Sequence, residues 1–235
     1  MAAVRKSVSV AMAACNGERF IEEQLRSILD QLEEKDEIVI SLDPSTDRTK
    51  EIIEAMKDKR IRVIDGPGKG LIRNFENAIA HTENEIIFLS DQDDVWQPQK
   101  VSKMLNALDD SLLVMHDCCV ADEKLNIVDP SMFSLRKPSL SFGRNIIKNT
   151  MMGCCMAFRK ELKKDILPFP DHIPMHDQWI GLVALKHGRV ELIEAPLLLY
   201  RRHGSNESSM DHASFDQMLR WRIDLLKALK KRGIL

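Results

Sequence analysis

The stretch Ile86-Ile87-Phe88-Leu89-Ser90-Asp91-Gln92-Asp93-Asp94-Val95-Trp96 decides the fold. Its opening run is short, apolar and partly β-branched, the pattern of a strand buried on both faces of a parallel sheet. It then stops on three carboxylates within four residues. Working outward, the same kind of run recurs upstream at Val8-Met12, Ile38-Leu42 and Ile61-Ile64. Helical periods lie between the runs. Ile21, Leu25, Ile28 and Leu32 make one apolar stripe, and Asp47-Met56 and Leu71-Ala80 read as the next helices. Downstream, Pro98-Leu108 reads as a fourth helix, with Pro98 suited to a first turn. Alternation of this kind predicts an α/β fold: an open, mostly parallel central sheet flanked by helices and wound through right-handed crossovers.

The second half is less regular. Leu112-His116 reads as a strand, Val120-Val128 as a hairpin, and the Ser/Pro-rich residues to about Ser141 as a loop. Cys154-Phe158 reads as a strand, Asp177-His187 as a helix, and Val190-Ile193 and Leu197-Arg201 as two more strands. Residues 214–232 form a last helix, with Phe215, Met218, Leu219, Leu225, Leu226 and Leu229 along one side. It carries six Lys/Arg against two Asp, a local charge of +4. Docking on the core is the favoured reading, and rest on an anionic membrane surface the sharper alternative.

Length and composition bound the function. The 235 residues fit one domain with a short appended element, 1–213 and 214–235, the former changing character near residue 116. With 44% hydrophobic and 30% charged residues the chain is globular, and a net charge of -2 gives no field to recruit nucleic acid. No apolar run approaches the roughly 20 residues that span a bilayer. The start, Met1-Ala2-Ala3-Val4-Arg5-Lys6, lacks a signal-peptide core. The expectation is a cytoplasmic protein, with the inner face of the cytoplasmic membrane as the alternative setting. Five cysteines, two adjacent pairs and a single Cys15, read as buried thiols rather than a disulfide framework.

In an open α/β sheet, ligands sit beyond the carboxyl ends of the strands. Three of the first four strands carry acid there: Asp43-Pro44-Ser45-Thr46-Asp47, Asp65, and Asp91-Gln92-Asp93-Asp94. Three clustered carboxylates repel one another. A single one would suffice to favour the next helix electrostatically, so the cluster points to Mg²⁺ or Mn²⁺ shared with substrate phosphates. Gly66-Pro67-Gly68-Lys69-Gly70 lacks the Ser or Thr of a Walker loop and reads as a tight turn that brings Lys69 near a phosphate. Asp177 opens a helix, where a plain cap is the competing role. Tyr200-Arg201-Arg202-His203 ends a strand in cations and an imidazole suited to a diphosphate or a metal shell. The sequon at Asn206 carries no meaning in a cytoplasmic chain.

The ordered set Asn16-Gly17-Glu18, Asp43-x-Ser45-Thr46-Asp47, Gly70-x-x-x-Asn74-Phe75, Ser90-Asp91-Gln92-Asp93-Asp94-Val95-Trp96-x-Pro98, His176-Asp177-x-Trp179 and Arg202-His203-Gly204-x-Asn206 resembles the family 2 glycosyltransferases of the GT-A fold. It is most similar to bacterial rhamnosyltransferase-like enzymes of surface-polysaccharide synthesis, over about residues 7–206. The resemblance implies an inverting enzyme that takes a nucleoside-diphosphate sugar and passes the sugar to a saccharide or lipid-linked saccharide. By the same resemblance Asp43 contacts the nucleobase, Asp93 with Asp91 holds the metal, His203 helps bind metal or diphosphate, and Asp177 is the catalytic base. Ala13, Cys15, Lys69, Gln92 and Arg202 complete the expected donor-binding set. Two departures bear on base recognition. Ala14-Cys15 stands where the family has Thr-Tyr, and Leu42-Asp43-Pro44-Ser45 where it has Asp-Asp-Gly-Ser. A nucleotide-sugar-binding module without catalysis and a sugar-nucleotide pyrophosphorylase are the alternative readings.

Overall fold

The computed structural model describes residues 5–204 and 214–235, and among these nine strands join in one sheet. β1 (Val8–Ala14), β2 (Glu37–Leu42), β3 (Ile61–Asp65) and β4 (Ile86–Ser90) lie parallel in the order β3-β2-β1-β4. Every residue of β1 and β4 is buried, as continuous apolar runs require. β3 departs from that expectation. It forms the sheet edge and stays partly exposed along its length.

Between these strands run α1 (Ile21–Leu29), α2 (Thr49–Ala55) and α3 (Leu71–Ala80). Ile21, Leu25 and Ile28 of α1 are fully buried, and α3 packs on β1 and β2 through Phe75, Ala78 and Ile79. β5 (Val95–Trp96) precedes α4 (Lys100–Ala107). That helix starts two residues after Pro98, because Gln99 takes a left-handed conformation with φ 69°.

Past β4 the sheet becomes mixed. β6 (Leu113–Ala121), β7 (Ile127–Asp129), β8 (Met156–Arg159) and β9 (Val190–Arg201) extend it in the order β4-β8-β6-β9-β5, with β7 on β6. β8 is antiparallel to β4 and β6, whereas β6 and β9 are parallel. The two expected strands after residue 190 are one strand. Its register slips where Asp117 meets Pro196, which has no N–H to give the ladder.

The expected loop to Ser141 contains α5 (Met132–Arg136) and leads into α6 (Phe142–Ile147). Each is started by a serine hydroxyl that accepts from a backbone N–H, Ser131 from Ser134 and Ser141 from Arg144. α7 (Lys163–Ile166) and α8 (His176–His187) follow, the latter apolar nearly all round and packed inside the molecule. α9 (Phe215–Lys231) closes the chain. Its expected single stripe divides: Leu225 and Leu229 are buried, while Leu219 and Leu226 face outward. No described helix is long and apolar enough to cross a membrane. Four cysteines are buried thiols as expected, but Cys15 is exposed.

Candidate active site

The loop after β4 is fastened from several sides. Gln24 of α1, fully buried, donates from Nε2 to Ser90 Oγ (2.7 Å) and to the Asp91 carbonyl (3.0 Å). Gln92 acts as an extra rung beside β1: its Oε1 accepts from Cys15 N (2.9 Å) and its Nε2 donates to Cys15 O (2.8 Å). A Cβ at Gly17 would lie 2.3 Å from that Oε1, so the motif glycine keeps room for the rung.

From the far end of β9, Arg201 donates its backbone N–H to Asp94 Oδ1 (3.0 Å) and its Nε to the Asp93 carbonyl (2.8 Å). Its guanidinium also pairs with Glu23 and sits 4.8 Å from the centre of the Phe20 ring. His203 stacks on the same ring at 4.5 Å, and its Nε2 meets Asp93 Oδ2 at 2.9 Å. Arg201, expected among diphosphate-facing cations, thus works as a buried clamp on the carboxylate loop. Arg202 is partly buried and donates its N–H to Ala121 O (2.9 Å).

Charge is concentrated here. Burial, then the charges of Asp93 and Asp177, push the Asp91 carboxyl up to about 7. Burial, with Asp93 and Asp91 behind it, also drives Asp94 well above the carboxylate range. Lys100 supplies compensation from beneath. It is fully buried, donates Nζ to Cys154 O (2.8 Å) and lies 4.1 Å over the Trp96 ring, and burial pushes its pKa down.

Donor atoms of Asp91, Asp94 and Cys154 lie within 4.8 Å of one another, a set that shares only Asp91 with the expected ligands Asp91, Asp93 and His203, and Asp94 Oδ2 is buried without a hydrogen-bond partner. Carboxylates that repel, an imidazole aimed at one of them and an unsatisfied buried oxygen fit a divalent cation. Its charge would reverse the penalty.

α8 delivers Asp177 to this rim. The Asp177 carboxylate influences Asp91 directly, and both of its own hydrogen bonds fall on Oδ1, from Asn149 Nδ2 (2.9 Å) and Gln178 N (2.6 Å). Asn149 is itself fixed, since its Oδ1 accepts from Met151 N (3.0 Å). Oδ2 of Asp177 accepts no hydrogen bond from the described residues. His176 does not hydrogen-bond to Asp177. Its ring stacks on Phe75 at 4.1 Å, and burial pushes its pKa down, so it is neutral packing. Gly153 makes room for it: a Cβ there would lie 2.7 Å from His176 Nε2.

At the ends of β1 and β2, Asp43 is buried and its Oδ1 accepts from Gly68 N (2.8 Å). Gly66 presses on it so closely that a Cβ would lie 2.5 Å from Asp43 N. Ala13 is buried opposite Ser41, and exposed Cys15 leans its Sγ on Pro44 O (3.7 Å). Lys69 follows the Gly68 that donates to Asp43 and lines an open groove with Pro67, Arg73, Asn77 and Asp171.

The structure therefore gathers Asp91, Asp93, Asp177 and His203 and sets Asp43, Cys15 and Gln92 beside them through β1, with Lys69 in the turn that Asp43 holds. Asn206 lies outside the described residues, as does the side chain of Phe215. Asn149, Gln24 and Phe20 were not read from the sequence. Their roles arise from contacts between distant segments, which no spacing announces.

A parallel half-sheet with an acidic rim is thus completed by a mixed half carrying a buried carboxylate at a helix start. Residues 9–167 match the family described as Glycosyl transferase family 2, and the chain belongs to that family. Among curated relatives, the dTDP-rhamnosyl transferase RfbG of Shigella flexneri is 28% identical, over 83% of this chain and 73% of its own length. Across the curated relatives the chain spans 66% to 83% of their lengths. Among solved structures, S. aureus TarS 1-349 in complex with UDP-GlcNAc superposes with a TM-score of 0.72 at 21% identity, covering 95% of this chain and 67% of that one. Glucosyl-3-phosphoglycerate synthase from Mycobacterium tuberculosis, with Mn²⁺, UDP and phosphoglyceric acid, gives 0.59 at 18%, covering 97% and 78%. The fold is the GT-A fold.

Proposed function

We propose that this chain is an inverting glycosyltransferase that moves a sugar from a nucleoside-diphosphate donor to an acceptor hydroxyl in the building of a bacterial surface polysaccharide. The observation that carries the reading is Asp177. It is a buried carboxylate with one oxygen locked by Asn149 and Gln178 and its charge felt at Asp91, which supports reading it as the proton acceptor beside the donor diphosphate.

Asp91, Asp93 and His203 would hold Mn²⁺ or Mg²⁺, the choice favoured by the Mn²⁺ in the mycobacterial synthase. When bound, the ion supplies a Lewis acid for charge on the leaving diphosphate. Asp43 and Cys15 line the nucleobase end, with Ala13, Gln92 and Arg202 completing the donor contacts. Asp177 takes the acceptor's proton as its oxygen attacks the anomeric carbon from the face opposite the diphosphate. Arg201 keeps the loop of Asp93 and Asp94 in place while charge moves.

Asp177→Asn tests the assignment. It is expected to bind the sugar nucleotide as the parent does while transfer falls about 10²–10⁴-fold. Transfer at the parental rate, or a product that keeps the donor's anomeric configuration by NMR, would overturn the mechanism.

A further inference from the structure

The surface of α9 that the core does not use is itself amphipathic. Leu225, Leu229 and Ile234 are buried, and Arg222 and Arg232 anchor the helix by donating to Ile147 O (3.1 Å from Nε) and Leu167 O (2.8 Å). About 120° around the helix, Leu219, Ile223 and Leu226 follow at spacings of four and three and make a second stripe, 45%, 42% and 40% exposed. Exposed cations flank it: Arg220, Lys227, Lys230 and Lys231, with Lys227 reaching Asp224 at 3.5 Å. Ile147 of α6, whose carbonyl accepts from Arg222 of α9, is 66% exposed and is followed by exposed Lys148. A docked helix needs one apolar face. This one has two, and the outward one is edged by lysine and arginine.

We propose that this face docks on the surface of an anionic lipid bilayer, its leucine and isoleucine side chains entering the headgroup boundary and its cations meeting lipid phosphates. The charge pattern favours a bilayer over a second copy of the chain. Phe215–Lys231 holds five Lys/Arg against two Asp, so two such faces would repel, whereas the whole chain is at -2 and the rest of its surface would be held off the membrane. The placement has a consequence for the site. α6 leads directly to Asn149, the residue that donates to Asp177, so, on the glycosyltransferase reading, the bilayer would meet the chain next to the segment that holds the base. An acceptor carried in the membrane would reach Asp177 without leaving it.

Co-sedimentation with vesicles tests this independently of sugar transfer. The full chain is expected to sediment with vesicles of mixed phosphatidylglycerol and phosphatidylcholine, to be released by salt, and to ignore phosphatidylcholine alone. Lys227→Gln/Lys230→Gln/Lys231→Gln should lower partitioning by on the order of fivefold per lysine removed. Leu219→Ser/Ile223→Ser/Leu226→Ser should abolish it, with unchanged thermal unfolding and unchanged transfer to a soluble acceptor. The proposal is overturned if the parent stays in the supernatant with anionic vesicles, or if either variant binds them like the parent. A concentration-dependent dimer lost in the Ser variant, without vesicle binding, would overturn it in favour of self-association. Failure of the glycosyltransferase reading would show instead as absent transfer in the parent, whatever its membrane affinity.

Discussion

Asp177 and Asn149 set the chemistry at the finest scale. The Asn149 amide donates to Asp177 Oδ1 and so fixes the orientation of the carboxylate. Asn149→Ala is therefore expected to lower kcat about threefold to tenfold, the worth of one such hydrogen bond. Donor affinity should stay parental. A parental kcat, or donor affinity lost along with it, would make Asn149 a packing residue.

Asp91 gives the second residue-scale prediction. Its carboxyl stands at about 7 against an ordinary 3.8, so near neutrality it must release a proton before it can hold a cation. Affinity for Mn²⁺ is expected to fall about tenfold for each pH unit below that value, with proton release in calorimetry. Without a cation the sign for stability is the reverse. A carboxyl raised by folding favours the fold at low pH and loses that contribution as pH rises from 3.8 to about 7.

Strands, turns and helices differ in how openly the chain announces them. β1, β2, β3, β4 and α3 were legible because each is either a short apolar run or a clear helical stripe. α5 and α6 were not, since five and six residues are too few to show a period, and only their serine caps mark them. β9 looked like two strands because the break at Pro196 interrupts an otherwise continuous ladder.

The turn after β3 was read as tight, and its packing explains why. Gly66 lies against the backbone of Asp43, which cannot move without disturbing β2. Gly66→Ala is expected to cost about 1–3 kcal/mol in denaturant unfolding and to weaken donor binding along with it. A stable variant with parental donor affinity would show that this turn has slack the geometry does not suggest.

For the molecule as a whole, one sheet carries two kinds of order. The parallel half was readable from the chain, and so was its acidic rim, because strand ends in such a sheet must face a ligand. The mixed half was not, because β8 inserts between β4 and β6 from far along the chain. That insertion turns the segment holding Cys154 and Asn149 toward the rim. The acidic run Asp91-Gln92-Asp93-Asp94 was thus visible in local sequence, while Cys154 beside it and the groups that orient Asp177 and clamp the loop needed the fold. The central claim is that these two halves meet around a cation and a sugar nucleotide. Thermal unfolding in the presence of a panel of nucleoside-diphosphate sugars, with and without Mn²⁺, tests it most directly. At least one sugar nucleotide should raise the midpoint only when Mn²⁺ is present, in the parent and in Asp177→Asn but not in Asp93→Ala. No Mn²⁺-dependent rise with any of them, or an equal rise in Asp93→Ala, would contradict the account.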